Sequence, residues 1–261
     1  MNFLSPDGRF AAKIQIYLNQ RLSTHQTIMI FHIFDFLKEN LLKIVDLSHM
    51  IFPAMPVYPG TPFPVIKTAF CIHENGFLEK QITLCSHTGT HIDAPAHMLE
   101  DGKTLDQLPI HRFSGRAFVF DATSISKPVI DVQILEPFQE ALEISDFILL
   151  HTGWSRFWGT PKYFLEYPVL TEKAAAWLGR FDLKGIGMDV ISADRYDSVD
   201  YPVHKLLFGR GLIVIENLAD LDRLLHQRFI FSCFPLKIEH AEGSPVRAVA
   251  MIDDSNEGWK D

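Results

Sequence analysis

The sequence is poor in cysteine, and its three cysteines are not arranged for a structural role. Cys71, Cys85 and Cys233 are odd in number, and none belongs to a C-x-x-C pair. A disulfide framework and a thiolate zinc site are therefore not expected. We expect three free thiols, each buried as a small apolar side chain, and a reducing, cytoplasmic location.

Clusters of positive charge and long apolar runs are also lacking. The formal net charge is −8, and no group of lysines and arginines is present that would bind a phosphate backbone. The most apolar stretch, residues 27–42, is interrupted by His32, Asp35, Lys38 and Glu39, so it is too polar and too short to span a bilayer. The first residues lack a secretory pattern. We therefore expect no nucleic-acid partner and no membrane association.

The 261 residues contain no internal repeat, and their character changes near residue 43. Residues 1–42 include a helical apolar period but no motif, and we interpret them as an N-terminal extension of uncertain role. This segment is either a subunit-contact arm or an over-long translation start, with Met29 as the alternative start. Residues 43–258 are predicted to form one catalytic domain. The 21 phenylalanines indicate an aromatic core or a buried subunit interface.

Short apolar runs that alternate with helical segments predict an α/β fold. Thr171 is a predicted N-cap in front of an alanine-rich helix, and a second helical segment, 131–141, contains Pro137, which should break or kink it. The predicted buried strands are residues 118–121, 147–151, 185–191 and 211–216.

Three histidines and an aspartate fall within eleven residues: His87, His91, Asp93 and His97. Gly89, its flanking threonines and Pro95 oppose a helix here. On an extended chain the four side chains share one face, but a straight strand would hold the first and last Cα atoms roughly 33 Å apart. The chain must therefore bend, with Gly89 allowing a bulge and Pro95 redirecting the backbone.

This donor set predicts a metal site. Imidazole and carboxylate groups suit zinc (Zn²⁺), manganese (Mn²⁺) or Fe²⁺, and a catalytic zinc usually has three protein ligands and one position for water. The bend would gather His87, His91 and Asp93 around the ion and return His97 beside it. Separate surface or capping roles for these residues are the alternative interpretation.

The run His-x-Gly-Thr-His-x-Asp-x-Pro-x-His resembles the signature of the cyclase-like metal hydrolases, the family of bacterial kynurenine formamidase and isatin hydrolase. Further stretches resemble that family in the same order, and together they cover about residues 43–252. These stretches begin at Asp46, Pro56, Leu149, Gly187, His204, Ile215, Pro235 and Gly243.

The resemblance implies a swivelling β/β/α, sandwich-like barrel that assembles as a homodimer or homotetramer. It implies that His87, His91 and Asp93 hold a first ion and that His204 and Glu216 complete a second position. Asp93 and Glu216 would be the bridging carboxylates, and one or two Zn²⁺ or Mn²⁺ ions would bind per subunit. His97 matches the catalytic acid/base, and Tyr58 matches a substrate-contacting aromatic residue.

Three departures from the family pattern concern the substrate rather than the reaction. Tyr58 stands where Trp is typical, Thr61 where an acidic residue is common, and Met98 where Phe is common. We predict a hydrolase that cleaves an amide, or a cyclic amide or ester, through a metal-activated water, with a small-molecule substrate such as N-formylkynurenine. The alternatives are a metal-dependent dehydrating cyclase and a non-catalytic metal-binding subunit.

Overall fold

The computed structural model describes residues 42–125 and 127–252. Within them, Ile44–Ile252 form one compact unit. The predicted extension lies outside the described residues except for Leu42, and so do residues 253–258 of the predicted domain. The domain boundary at residue 43 therefore stays a prediction.

A curled, half-barrel sheet of nine strands is the centre of the fold, in the order β1-β13-β11-β5-β7-β9-β10-β4-β12. The strands β5, β7, β9 and β10 run parallel, and the neighbours on either side pair antiparallel. Two small sheets, β2-β3 and β6-β8, lie outside it. The strands are β1 Lys43–Asp46, β2 Val65–Phe70, β3 Glu79–Thr83, β4 His91–Asp93, β5 Ser114–Asp121, β6 Val129–Ile130, β7 Phe147–His151, β8 Val169–Leu170, β9 Gly185–Met188, β10 Ile213–Glu216, β11 Phe229–Ser232, β12 Gly243–Pro245 and β13 Val249–Ile252.

The helices are short, and their ends follow local rules. Thr171 caps the helix α4, Glu172–Leu178, by accepting a hydrogen bond from the Ala174 amide at 3.1 Å. Pro137 divides the predicted 131–141 helix into α2, a 3₁₀ turn and α3. The α-helices are α1 Ile72–Asn75, α2 Val132–Leu135, α3 Gln139–Glu143, α4 Glu172–Leu178 and α5 Pro202–Phe208. The 3₁₀ turns are Pro95–His97, Leu105–Gln107, Ile110–Phe113, Glu136–Phe138, Trp154–Phe157, Pro161–Phe164 and Leu221–Leu224.

The side chains on the two faces of the central strands pack into two different apolar clusters. Along β7, Ile148 and Leu150 pack into the cluster that includes α4 and α5, whereas Phe147 and Leu149 pack into the cluster on the opposite face. Side chains alternate along a strand, so this division determines where polar residues point. Ile92 in β4 lies in the second cluster, and its neighbours His91 and Asp93 therefore face the α5 side.

The predicted α/β class and the family fold are confirmed. The expectation of three buried thiols is correct only for Cys233; Cys71 and Cys85 are free but half-buried. Both lie beside the exposed β2–β3 hairpin rather than in the main sheet, so no core packs over them. None of the helices in the described residues has the length and apolar character needed to cross a membrane.

Candidate metal centre

The histidine run bends as its glycine and proline predict. Gly89 has a φ of +68°, in the left-handed region, and an added Cβ would lie 3.2 Å from Met55 Cε. β4 then carries His91 and Asp93 in extended conformation, and the 3₁₀ turn Pro95–His97 follows directly. The bend brings His87 and Asp93 into contact, with Nδ1 of the histidine 2.6 Å from Oδ1 of the aspartate.

A first group of possible ligands consists of His87, His91 and Asp93, whose donor atoms all lie within 4.8 Å of one another. Nδ1 of His91 lies 2.8 Å from the Gly89 carbonyl and must donate to it, because a carbonyl only accepts. In the neutral imidazole of His91 the lone pair is therefore on Nε2, which lies 3.2 Å from Asp93 Oδ1. A backbone contact thus determines which nitrogen is available as a ligand.

A second group, which shares Asp93, is completed by His204 and Glu216. Glu216 ends β10, and the antiparallel register pairs it directly with His91. His204 lies on α5, with Nε2 3.1 Å from Glu216 Oε1. All three side chains of this group are buried.

Asp194 orients the His204 imidazole through its Nδ1 atom. Its carboxylate accepts from the backbone amides of Val203 and His204 at 2.9 and 3.1 Å, at the start of α5. Oδ2 of Asp194 also lies 2.6 Å from His204 Nδ1. This pairing leaves Nε2 of His204 directed at Glu216 and is the usual carboxylate support of a metal-binding imidazole.

The two groups that share Asp93 form one donor cluster: His87, His91, Asp93, His204 and Glu216. This donor cluster favours positive charge. Burial would lower the pKa of His204, but the hydrogen bonds to Asp194 and Glu216 raise it to about 10. Burial would likewise lower the pKa of His91, yet Asp93 and Glu216 hold it well above the usual value. Burial would raise the pKa of Asp93, but His91 and His87 keep it well below its usual range. Two buried carboxylates therefore draw cations or protons to this point.

The donor set fits a divalent ion. Nε2 of His91 and Oδ2 of Asp93 are buried and have no hydrogen-bond partner among the described residues. Buried polar atoms are rarely left in that state, and a metal ion would satisfy both. The imidazole and carboxylate donors are the types that zinc and manganese accept.

His97 lies beside the cluster and outside both groups that share Asp93. Its ring centroid is 3.9 Å from that of His87 and 6.2 Å from that of His204. Burial lowers the pKa of His97, with the charge of Asp93 acting in the opposite direction and His87 and His204 reinforcing the decrease. A neutral imidazole at neutral pH is suited to accept a proton.

A cavity of about 480 Å³ opens above the cluster. His97 and Glu216 line this cavity, and so do Tyr58, Thr61 and Met98. All three departures from the family pattern therefore lie on the surface of this one cavity. The remaining lining residues are Pro56, Val57, His87, His91, Ile191, Ser192, Tyr201, His204 and Lys205.

Comparison with known proteins identifies the family. The profile of the family described as putative cyclase matches residues 45–195. The chain belongs to the putative cyclase family. Kynurenine formamidase of Bacillus cytotoxicus is 32% identical to this cyclase-family chain over 206 residues, which cover 78% of the chain and 95% of that protein.

Solved structures of similar proteins agree with this family assignment. Isatin hydrolase A from Labrenzia aggregata, bound to benzyl benzoate, matches with a TM-score of 0.76 and 26% identity over 86% of this chain and 99% of that one. A protein described as a potential metal-dependent hydrolase with cyclase activity matches with a TM-score of 0.68 and 30% identity, over 81% and 98%. The predicted family, the metal dependence and a hydrolase class acting on carbon–nitrogen bonds outside peptides are thereby confirmed.

The structure brings all seven predicted site residues of this cyclase-family protein together: Tyr58, His87, His91, Asp93, His97, His204 and Glu216. Their individual roles stay predictions.

Four further residues near the site had no role predicted from the sequence: Asp194, Tyr201, Lys205 and Glu242. Glu242 lies 3.3 Å from Nε2 of His87, accepts from Ser86 Oγ at 2.6 Å, and forms a third, less buried group with His87 and His97. Its position directly before the Gly243 stretch was the only available signal in the sequence. The signal for Asp194 was that it ends the family-like stretch that begins at Gly187, and the signal for Lys205 was its position next to His204.

Proposed function

We propose that this chain is an arylformamidase-like, metal-dependent hydrolase that cleaves the carbon–nitrogen bond of an aryl formamide or a cyclic amide, or the corresponding bond of a cyclic ester. The observation that carries the proposal is the position of His97. It adjoins a set of five nitrogen and oxygen donors, four of them buried, and also lines the cavity where a substrate would reach that set. A purely structural metal site would have no use for such a group.

The metal-binding residues in this proposal are His87, His91, Asp93, His204 and Glu216, holding one or two ions of zinc or manganese. Such an ion, when bound, polarises the substrate carbonyl and lowers the pKa of a water molecule toward ~7. Asp93 belongs to both donor groups, which supports its assignment as a bridging carboxylate. Glu216 faces both His91, at 3.5 Å, and His204, at 3.1 Å.

His97 is the proposed proton carrier. As a neutral imidazole it accepts a proton from the attacking water and delivers it to the departing nitrogen, which leaves as an amine. The apolar side chains of Val57, Met98 and Ile191 line the same cavity and keep bulk water from the reacting atoms. Tyr58 is the proposed aromatic contact for the substrate.

The decisive experiment combines metal analysis with hydrolysis assays on N-formylkynurenine and isatin. We expect zinc or manganese in the purified protein, turnover of at least one substrate, and loss of turnover in chelator that is restored by the ion. A protein that contains no divalent transition metal, and whose activity is unchanged by chelation, would refute the proposal.

A dehydrating cyclase is the second candidate, because one structurally similar protein is described as having cyclase activity. The same donor cluster would then activate a carbonyl for loss of water rather than for its addition. A dehydration assay run beside the amide and lactone panel separates the two candidates. Hydrolysis without dehydration supports the first, and dehydration alone supports the second.

We also propose that the protein is a homodimer or homotetramer and is cytoplasmic. The β2–β3 hairpin supports an oligomer because large apolar side chains on it are exposed, Ile82 by 58%. Three free thiols support a reducing compartment. Sedimentation analysis tests the oligomer: the wild-type protein should exceed the mass of one chain, and Ile82→Lys should shift it toward the monomer.

A further inference from the structure

The cavity above the donor cluster has one lysine on its surface. Lys205 follows His204 on α5 and, unlike that buried neighbour, is exposed. Among the described residues it is the only lysine or arginine that lines the cavity. Its ammonium group forms no ion pair with any carboxylate in the part of the chain that the structure describes.

A pair of phenols lies on the same cavity surface. The pKa of Tyr58 is raised to about 12 by burial first and then by its hydrogen bond to Tyr201. Tyr201 lines the cavity as well, and a phenol hydroxyl is a group that can donate a hydrogen bond to a ligand.

The backbone holds Tyr201 in an unusual conformation. Its φ of +49° lies in the left-handed region, and the next residue is Pro202, which disfavours helical conformations in the residue before it. The Tyr201 carbonyl also accepts the Lys205 amide at 3.2 Å. The conformation that places the Tyr201 side chain at the cavity thus begins the helix that presents Lys205. Strain of this kind persists where surrounding contacts and function require it.

We propose that the substrate carries an anionic group of the carboxylate class, and that Lys205 and the Tyr201 hydroxyl bind it in the cavity. This inference rests on the proposed function, since it assigns a substrate class to the same site. A lysine ammonium and a phenol O–H both donate to a carboxylate, and charge-assisted hydrogen bonds are the stronger kind. Val57 and Met98 line the same cavity, and their apolar side chains suit an aryl group of the substrate.

Binding tests the proposal without requiring turnover. Two probes share a ring and an amine and differ in charge: 2-aminobenzoate is an anion, and 2-aminobenzamide is neutral. Calorimetry with the metal-loaded full chain should show that wild type prefers the anion. Lys205→Met should weaken binding of 2-aminobenzoate about 10- to 100-fold and leave 2-aminobenzamide unchanged. Lys205→Arg should restore most of the affinity, and Tyr201→Phe should give a smaller loss.

Lys173→Met is the matched control, because Lys173 is exposed on α4 and does not line this cavity. It should bind both probes as the wild type does, and all variants should carry the same amount of metal. The proposal is overturned if wild type does not prefer 2-aminobenzoate, or if Lys205→Met keeps that preference.

Hydrolysis of 2-formamidobenzoate and of neutral formanilide separates this inference from the proposed function. If the two compounds are cleaved and Lys205→Met raises KM only for 2-formamidobenzoate, the proposed function and the anion site are both supported. If both are cleaved with no effect of Lys205→Met on KM, the function stands and the anion site is wrong. If neither is cleaved but anion binding depends on Lys205, the anion site stands and the formamidase assignment fails.

Discussion

Oδ2 of Asp194 lies 2.6 Å from Nδ1 of His204, and the same carboxylate accepts two backbone amides at the start of α5. One side chain therefore positions both the helix and the imidazole that the helix carries. Asp194 has no place in either donor group, so its effect on the metal acts through His204.

Asp194→Asn should weaken metal binding without removing a ligand. The amide keeps the size of the side chain but cannot hold the His204 ring by a charged hydrogen bond, so we expect a loss of metal affinity of about 10- to 100-fold. Metal titration against a competing chelator measures it. Asp197→Asn is the control, because Asp197 is exposed and its ion pair is with Arg195, away from the donor groups. An affinity equal to that of the wild type would show that Asp194 serves only the fold.

His97→Ala and Asp93→Ala should separate chemistry from binding. His97 lies outside the groups that share Asp93, so its removal should leave metal content nearly intact and lower turnover by roughly 10²–10⁴-fold. Asp93→Ala should empty the site and lower thermal stability along with activity. Metal stoichiometry and rate are measured on both variants in parallel. If His97→Ala loses its metal as fully as Asp93→Ala, His97 is a ligand; if it retains both metal and rate, it does not transfer the proton.

Gly243→Ala should displace His87. A methyl group on Gly243 would lie 2.6 Å from His87 Cε1, which is closer than real Cβ contacts allow. The imidazole is partly exposed and free to turn away, so the fold should survive while one ligand is misplaced. We expect a thermal transition of the metal-free protein close to that of the wild type and a metal affinity lowered about as much as in His87→Ala. Unchanged metal affinity would contradict the assignment of His87.

Metal affinity should rise with pH toward about pH 10. In the metal-free protein the pKa of His204 is raised to about 10, so the imidazole holds a proton at neutral pH and must release it to bind an ion. Each pH unit below 10 then costs up to about tenfold in affinity. Calorimetry in buffers of different ionisation enthalpy should detect the released proton.

The same pKa predicts how the stability of the metal-free protein depends on pH. A folded-state pKa raised above the unfolded value of about 6.5 contributes stability that is complete below pH 6.5. That contribution is lost as the pH rises through about 10. Denaturant titration at several pH values measures the loss, and His204→Gln should not show it. If the free energy of unfolding falls equally steeply with pH in the wild type and in His204→Gln, the assignment of this pKa to His204 is refuted.

A chain that starts at Met29 or Leu41 should keep its metal and its fold. Residues 1–42 contain none of the family motifs, and β1 begins only at Lys43. Metal content, soluble yield and thermal stability of the shortened chain are compared with those of the full chain. Loss of soluble protein would show that the first residues belong to the core or to a subunit interface.

Much of the fold could be predicted because its signals are local. The buried strands β7 and β10 are short runs of apolar residues, and Thr171 and Pro137 mark helix boundaries through their own backbone chemistry. The order of the nine strands was not predictable in this way. It depends on which apolar faces pack together, and many strand orders satisfy the same local pattern.

The candidate site, too, was predictable only where its signals are local in sequence. The pattern from His87 to His97 was sufficient to predict a bent metal-binding segment, because Gly89 and Pro95 restrict the backbone within a few residues. The contact between His91 and Glu216 depends on the register of β4 against β10, and the support of His204 by Asp194 depends on where α5 starts. Likewise, the sequence near His204 contains Tyr201 and Lys205, but only the packing of α5 beside the donor cluster places both on the cavity. A local pattern constrains neighbours in sequence, whereas contacts between distant segments are decided by packing, which involves the whole chain at once.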